Sequence, residues 1–147
     1  NFGCSPRLTI RLFAAGSFQP AAQAQLGAYL RQQTAPDERI LVWGLAPEVY
    51  FAARRRAATP FYFHHVLLTD APLSRALPGL EQRQQRLMKS LRRQPPAYIV
   101  VGRGDANAFE PVPSDEQLRR FAALDGFVRE RYVPVRTAGP FTVLERR

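Results

Sequence analysis

Strands alternating with helical periods predict a single α/β domain with a mainly parallel sheet, flanking helices and an antiparallel C-terminal hairpin. Three observations carry this reading. Residues 97–101, Ala-Tyr-Ile-Val-Val, are an unbroken apolar run between Pro95-Pro96 and Gly102. A run without alternation implies burial on both faces of a sheet. Residues 39–43 hold a shorter run of the same kind, ending on Leu41-Val42-Trp43. The segments between them space their apolar residues three and four apart, as helices do.

Taken in order, residues 1–19 read as a lead-in or linker and residues 20–147 as the domain. Leu8, Ile10 and Leu12 alternate with Thr9 and Arg11, which suits an edge strand or an extended link from a preceding membrane helix. Residues 20–33 place Ala22, Leu26, Tyr29 and Leu30 on one helical face, and Pro36 marks the stop. Residues 39–43 are a strand. Residues 47–53 form a short helix, because Pro47 suits a position whose N–H is not needed and Glu48 faces the positive helix end. Residues 61–66 are a strand candidate after Pro60, and 67–79, with Pro72, Pro78 and no period, a loop. Leu80, Gln84, Leu87, Met88 and Leu91 define an amphipathic helix ending before Pro95. The strand at 97–101 follows, then a loop over 102–113. Ser114-Asp-Glu-Gln117 has the pattern of a capping box, and Leu118, Phe121, Leu124 and Val128 continue it as one helix. Residues 132–137 and 141–144 close the chain as a hairpin around Gly139-Pro140.

The length of 147 residues suffices for one core without disulfides or metal. Cys4 is the sole cysteine, which excludes an internal disulfide and zinc held by cysteine pairs. No apolar run approaches the roughly 20 residues of a membrane helix, and no secretory signal is visible. Asn1 in place of a starting Met fits a processed or excised piece of a longer chain. The net charge of +9 favours anionic partners such as phosphates, acidic headgroups or nucleic acid.

The chemistry-bearing patterns are sparse. Gly102-Arg-Gly104 follows a strand, but position 107 is Asn and Pro111 and Pro113 forbid an immediate helix, so a dinucleotide loop is not expected. Arg103-Gly-Asp105 reads as a turn. His64 and His65 on a strand would point to opposite faces and could not share a metal. Ser17, Ser74, Ser90 and Ser114 lack the setting that exposes a hydrolase nucleophile. No catalytic, cofactor-binding or metal-ligating residue is therefore assigned. The candidate site is instead a partner or acceptor surface at the end of the 39–43 strand: Trp43, Glu48 and Tyr50, flanked by Arg54, Arg55 and Arg56. Gly44 there lets another backbone approach, and guanidinium groups match phosphate oxygens in two-point contacts.

The order Leu26-Gly-Ala-Tyr-Leu-Arg-Gln-Gln-Thr34, Pro36-Asp-Glu-Arg39, Leu41-Val-Trp-Gly-Leu-Ala-Pro-Glu-Val-Tyr50, Phe61-Tyr-Phe63 and Arg93-Gln-Pro-Pro-Ala-Tyr-Ile-Val-Val-Gly102 resembles the soluble C-terminal region of bacterial polytopic membrane glycosyltransferases. These are the protein mannosyltransferase-like and aminoarabinose transferase-like enzymes that use polyprenyl-phosphate sugars. The likeness spans roughly residues 20 to 146. It implies an extracytoplasmic, periplasmic domain of a membrane protein that caps the active site or helps bind the acceptor. The family's catalytic carboxylate lies in its membrane-embedded part, so no catalytic residue carries over. The implied partners are the membrane-embedded portion of the same parent chain and anionic lipid or polyprenyl-phosphate headgroups, with no nucleic acid expected. Two other classes stay open: a stand-alone basic module binding nucleic acid or another anion, and a small α/β enzyme with a site near Trp43 and Glu48. A reading frame with many apolar segments entering residue 1 favours the membrane class, and a start codon there excludes it.

Overall fold

Two strands that need cover on both faces organise the chain. The computed structural model describes residues 19–68, 72–107 and 110–147, so the 1–18 lead-in and Cys4 lie outside the described residues. The helices are α1 (Pro20–Gln33), α2 (Glu48–Ala53), α3 (Pro72–Ala76), α4 (Leu80–Arg93), α5 (Ser114–Arg120) and α6 (Ala122–Arg131). The strands are β1 (Arg39–Trp43), β2 (Arg56–Ala57), β3 (Tyr98–Gly102), β4 (Tyr132–Ala138) and β5 (Phe141–Arg146), and His64–Leu67 is a 3₁₀ turn. The sheet order is β2-β1-β3-β5-β4. β2, β1 and β3 run parallel, and the β4–β5 hairpin joins β3 antiparallel. The fold is the α/β domain that the pattern predicts.

Successive residues of a strand point to opposite faces, and here each face has its own helical layer. Ile40, Val42, Tyr98, Val100, Phe141 and Val143 pack with Leu26 and Leu30 of α1 and Val49, Tyr50 and Ala53 of α2. Leu41, Trp43, Ile99 and Val101 pack with Leu87, Met88 and Leu91 of α4, Leu118 of α5, and Leu124, Phe127 and Val128 of α6. Each fully buried aliphatic side chain contributes about 1.5–3 kcal/mol. The β1–β3 ladder is the one place where every residue collects that contribution on alternating sides.

Three expectations are corrected. Residues 61–66 are not a strand: they form an irregular segment leading into the 3₁₀ turn. Side chains replace ladder partners there, as Arg83 Nε donates to the Val66 carbonyl at 2.6 Å and Gln84 Nε2 to that of Leu67 at 2.8 Å. The 67–79 loop contains α3, and Arg83 also donates to Ser74 Oγ at 3.1 Å. The single helix expected from Ser114 onward breaks at Phe121, whose φ of -90° and ψ of 84° separate α5 from α6. Tertiary packing explains the break. The Phe121 ring lies 6.3 Å from that of Trp43, while Leu118 and Leu124 on either side both reach the core.

α1 and α2 touch at backbone distance. A Cβ on Gly27 would stand 2.2 Å from Ala52 Cβ and 2.7 Å from the Ala52 carbonyl carbon. Gly27→Ala gains at most about 1 kcal/mol of helix propensity, against about 1–3 kcal/mol for overpacking a site whose neighbour is backbone. The expected result is net destabilisation, read as a lower denaturant midpoint. A midpoint at or above that of the wild type would show that the two helices can slide apart freely.

Candidate functional site

β1 and β3 end side by side, with Trp43 opposite Val101, and their glycines let the next turns touch. A Cβ on Gly44 would meet the Gly102 nitrogen at 3.3 Å, and one on Gly102 would meet Asp105 Oδ2 at 2.6 Å. The backbone that Gly44 admits is thus that of Gly102. Asp105 folds back over this edge and is buried. Its carboxylate accepts the Ser114 N–H at 2.7 Å and the Ser114 hydroxyl at 2.6 Å. Trp43, 1% exposed, donates its indole N–H to the Ser114 carbonyl at 3.0 Å.

The network continues inward. His64 Nε2 lies 2.7 Å from Gln117 Oε1 and 3.2 Å from Ser114 Oγ. Gln117 Nε2 donates to Glu110 Oε2 at 3.3 Å, and His65 Nε2 stands 3.9 Å from Glu110 Oε1. Proton positions follow from these contacts. The Ser114 hydroxyl donates its hydrogen bond to Asp105, and Gln117 turns its amide nitrogen to Glu110. Both therefore offer lone pairs to His64, which holds its proton on Nε2. Nδ1 is buried without a hydrogen bond. Burial and the neighbouring His65 push the His64 pKa down to about 4, although Gln117, Asp105 and the Gly44 carbonyl favour the charged form. Burial also lowers His65, opposed by Asp105.

Serine, histidine and aspartate meet here without forming a nucleophile. In a working triad the histidine takes the serine proton and the carboxylate holds the histidine. Here the Ser114 hydroxyl hydrogen-bonds to Asp105 instead, and Ser114 is buried at a helix start. Among the described residues no three of His, Cys, Asp and Glu gather to hold a metal ion.

Several sequence readings change. The capping box does not form: Pro113 is the cap residue, the Gln117 N–H bonds to the Pro113 carbonyl at 3.0 Å, and both polar side chains serve the buried network. The Arg103-Gly-Asp105 turn supplies the central carboxylate of this edge. The His64 and His65 rings do not point to opposite faces but lie 4.4 Å apart at an angle of 32°. Asp105, Glu110 and Gln117 escaped the sequence reading. The available signal was the polar Gly102–Asp105 stretch directly after the most apolar strand.

The sequence-predicted surface residues divide between the two ends of the sheet. Trp43 is core, its ring 4.9 Å from that of His64. Tyr50 is also buried. Its hydroxyl accepts the Val42 N–H at 2.8 Å, where β2 has already ended, and burial raises its pKa so that the phenol stays protonated. Glu48 is exposed in the first turn of α2. Of the arginines, Arg54 and Arg55 stay beside Tyr50, their backbone N–H groups donating to the Phe51 and Tyr50 carbonyls at 3.1 and 3.2 Å. β2 runs parallel to β1 with Arg56 opposite Arg39, which puts Arg56 at the strand beginnings, the far end from Trp43. Arg54 ends α2 in the left-handed region at φ 52°. Arg55 binds the C-terminal end of α1, donating to Thr34 Oγ1 at 2.8 Å and to the Thr34 and Arg31 carbonyls at 2.6 and 3.0 Å.

Among the described residues, three aromatic side chains stay open. Phe51 is 80% exposed and Tyr62 and Phe63 each 51%. The Tyr62 ring stands edge-on to Tyr50, 5.5 Å away. Comparison of the chain with protein-family models and with curated proteins found no match.

Two outcomes follow from this geometry. Between pH 6.5 and 4 the unfolded His64 binds a proton that the folded one refuses, so unfolding free energy falls as pH falls through that window. The loss amounts to at most about 3 kcal/mol. Urea midpoints should drop from pH 7.5 toward about 5, before the exposed carboxylates titrate, and His64→Gln should flatten the slope. An unchanged slope in that variant would assign the pH dependence elsewhere. Arg55→Ala strips the α1 carbonyls of a charged donor and should destabilise by about 1.5–3 kcal/mol, measured by denaturant melts. Arg55→Lys should restore little of that, because an ammonium cannot reproduce the fork.

Proposed function

We propose that this chain is a non-catalytic extracytoplasmic domain of a polytopic membrane glycosyltransferase that uses a polyprenyl-phosphate sugar, acting at the periplasmic face of the inner membrane. It caps the active site or assists acceptor binding by docking on the membrane-embedded portion of its own parent chain. One observation carries the reading: polar groups at the sheet edge are tied to one another inside the fold, while the side chains of Phe51, Tyr62 and Phe63 are left open. Aromatic side chains lose little conformational freedom on binding and are favoured anchors of interfaces. The ordered sequence string that resembles this enzyme class supports the same reading, and the +9 charge suits a neighbourhood of anionic headgroups. Among the described residues no helix is long and apolar enough to cross a membrane, so in this proposal the spans belong to the rest of the parent chain.

The test has two parts. The chain alone should turn over no polyprenyl-phosphate sugar above a heat-killed control, and turnover would overturn the non-catalytic role. In the parent enzyme, Phe51→Ser with Tyr62→Ser should lower transfer about tenfold or more, the scale of losing one interface anchor. Glu48→Gln should lower it less, with insertion and the melting of the domain unchanged in both. Wild-type transfer by both variants would remove this edge as a docking surface.

A further inference from the structure

The end of the sheet away from Trp43 carries a basic cleft. A concavity of about 430 Å³ opens there, and four cations line it: Arg39 from the start of β1, and Arg86, Lys89 and Arg93 from α4. No carboxylate is among its lining residues. Asp37 and Glu38 border a separate, smaller concavity that shares Arg39, and Glu38 already accepts the Ala35 N–H at 2.8 Å.

The arrangement concentrates positive charge, although Arg86 also lies over the Phe61 ring at 5.9 Å. Arg86, Lys89 and Arg93 stand three and four residues apart along one helix face, where like charges repel. Arg93 in the last turn offsets the negative helix end. Arg86 lies two turns back, beyond the reach of that effect. Arg39 is held in place by one bond from Nη1 to the Ala57 carbonyl at 3.1 Å, which leaves its other donors for a ligand. Two hydroxyls complete the lining. Thr59 Oγ1 accepts the Phe61 N–H at 3.0 Å and retains its own proton to donate. Ser90 donates to the Ala58 carbonyl at 2.8 Å and retains its lone pairs.

We propose that this cleft is a phosphate-ester binding site, with Arg39 and Thr59 as the fixed donors and Arg86, Lys89 and Arg93 as the charge that closes on the anion. Cations arriving from two elements suit several oxygens of one phosphate or pyrophosphate better than a single carboxylate. The volume leaves room for the group that the phosphate esterifies. The site does not rest on the docking role proposed above.

The experiment titrates the 147-residue chain with inorganic pyrophosphate, following backbone amide shifts by NMR. Saturable shifts centred on residues 57–59 and 86–94 are expected. Lys89→Ala with Arg93→Ala should weaken binding about tenfold or more, whereas Arg119→Ala with Arg129→Ala, which removes the same charge elsewhere, should change it by less than about twofold. No saturable shift, or equal weakening in both double variants, would overturn the site. Vesicles of phosphatidylcholine with and without phosphatidic acid separate the sources. Capture only by phosphatidic acid vesicles, lost in the Lys89/Arg93 double variant, identifies a lipid headgroup. Pyrophosphate binding without vesicle capture identifies a free phosphate ester. A single-stranded oligonucleotide bound more tightly than pyrophosphate, through residues outside the cleft, would replace the proposal.

Discussion

The ladder between β1 and β3, four paired positions from Ile40↔Tyr98 to Trp43↔Val101, is the constraint from which the remaining structure follows. Each of these residues is buried, so neither face of the pair can meet water. α1 and α2 must cover one side, and α4, α5 and α6 the other. The β4–β5 hairpin then protects the open edge of β3, with Val143 and Leu144 sending side chains to the two different layers. On the opposite edge β2 is too short to pair all of β1, and the Tyr50 hydroxyl takes the Val42 N–H that β2 leaves over. A buried N–H without that acceptor would cost about 1–3 kcal/mol.

The same ladder gives the domain two chemically different ends. Where the parallel strands finish, glycines bring two turns together, and a buried carboxylate, a serine, a glutamine and a histidine satisfy one another behind Trp43. Such groups resemble catalytic equipment in type, but the Ser114 hydroxyl is directed to Asp105 and not to the histidine. Where the strands begin, the surroundings are cationic, with Arg39 and Arg56 opposite each other in the register and α4 presenting three further cations.

Arginine serves two purposes in this chain, and location decides which. Arg55 and Arg83 spend their donors on backbone carbonyls, one closing α1 and the other fastening the segment around Val66 and Ser74 to α4. Arg119 and Arg129 pair with carboxylates four residues earlier on their own helices and, being exposed, add little to stability. The cleft arginines differ because no carboxylate shares their concavity. The net charge of +9 therefore conceals where the cations gather.

The α/β class, the strand at 39–43, α1, α4 and the closing hairpin were legible in the sequence, because an unbroken apolar run or a regular apolar spacing is a local property of the chain. Gly44 was likewise legible as a place of close backbone approach. The 61–66 segment was not, since Arg83 and Gln84, distant in sequence, supply the bonds that a neighbouring strand would otherwise give. Ser114-Asp-Glu-Gln117 matches a local cap, yet Asp105 and His64 draw both polar side chains away from it. The Arg triplet stands next to Trp43, Glu48 and Tyr50 in the chain, but parallel pairing of β2 with β1 carries Arg56 to the other end of the sheet from Trp43, while Arg54 and Arg55 stay hydrogen-bonded to Phe51 and Tyr50. Sequence alone determined which apolar runs had to be buried, since that depends on composition and period, but not that Trp43 and Tyr50 belong to the core. Tertiary structure decided which polar groups met, because hydrogen-bond partners and strand direction are set by contacts between segments that no local pattern encodes.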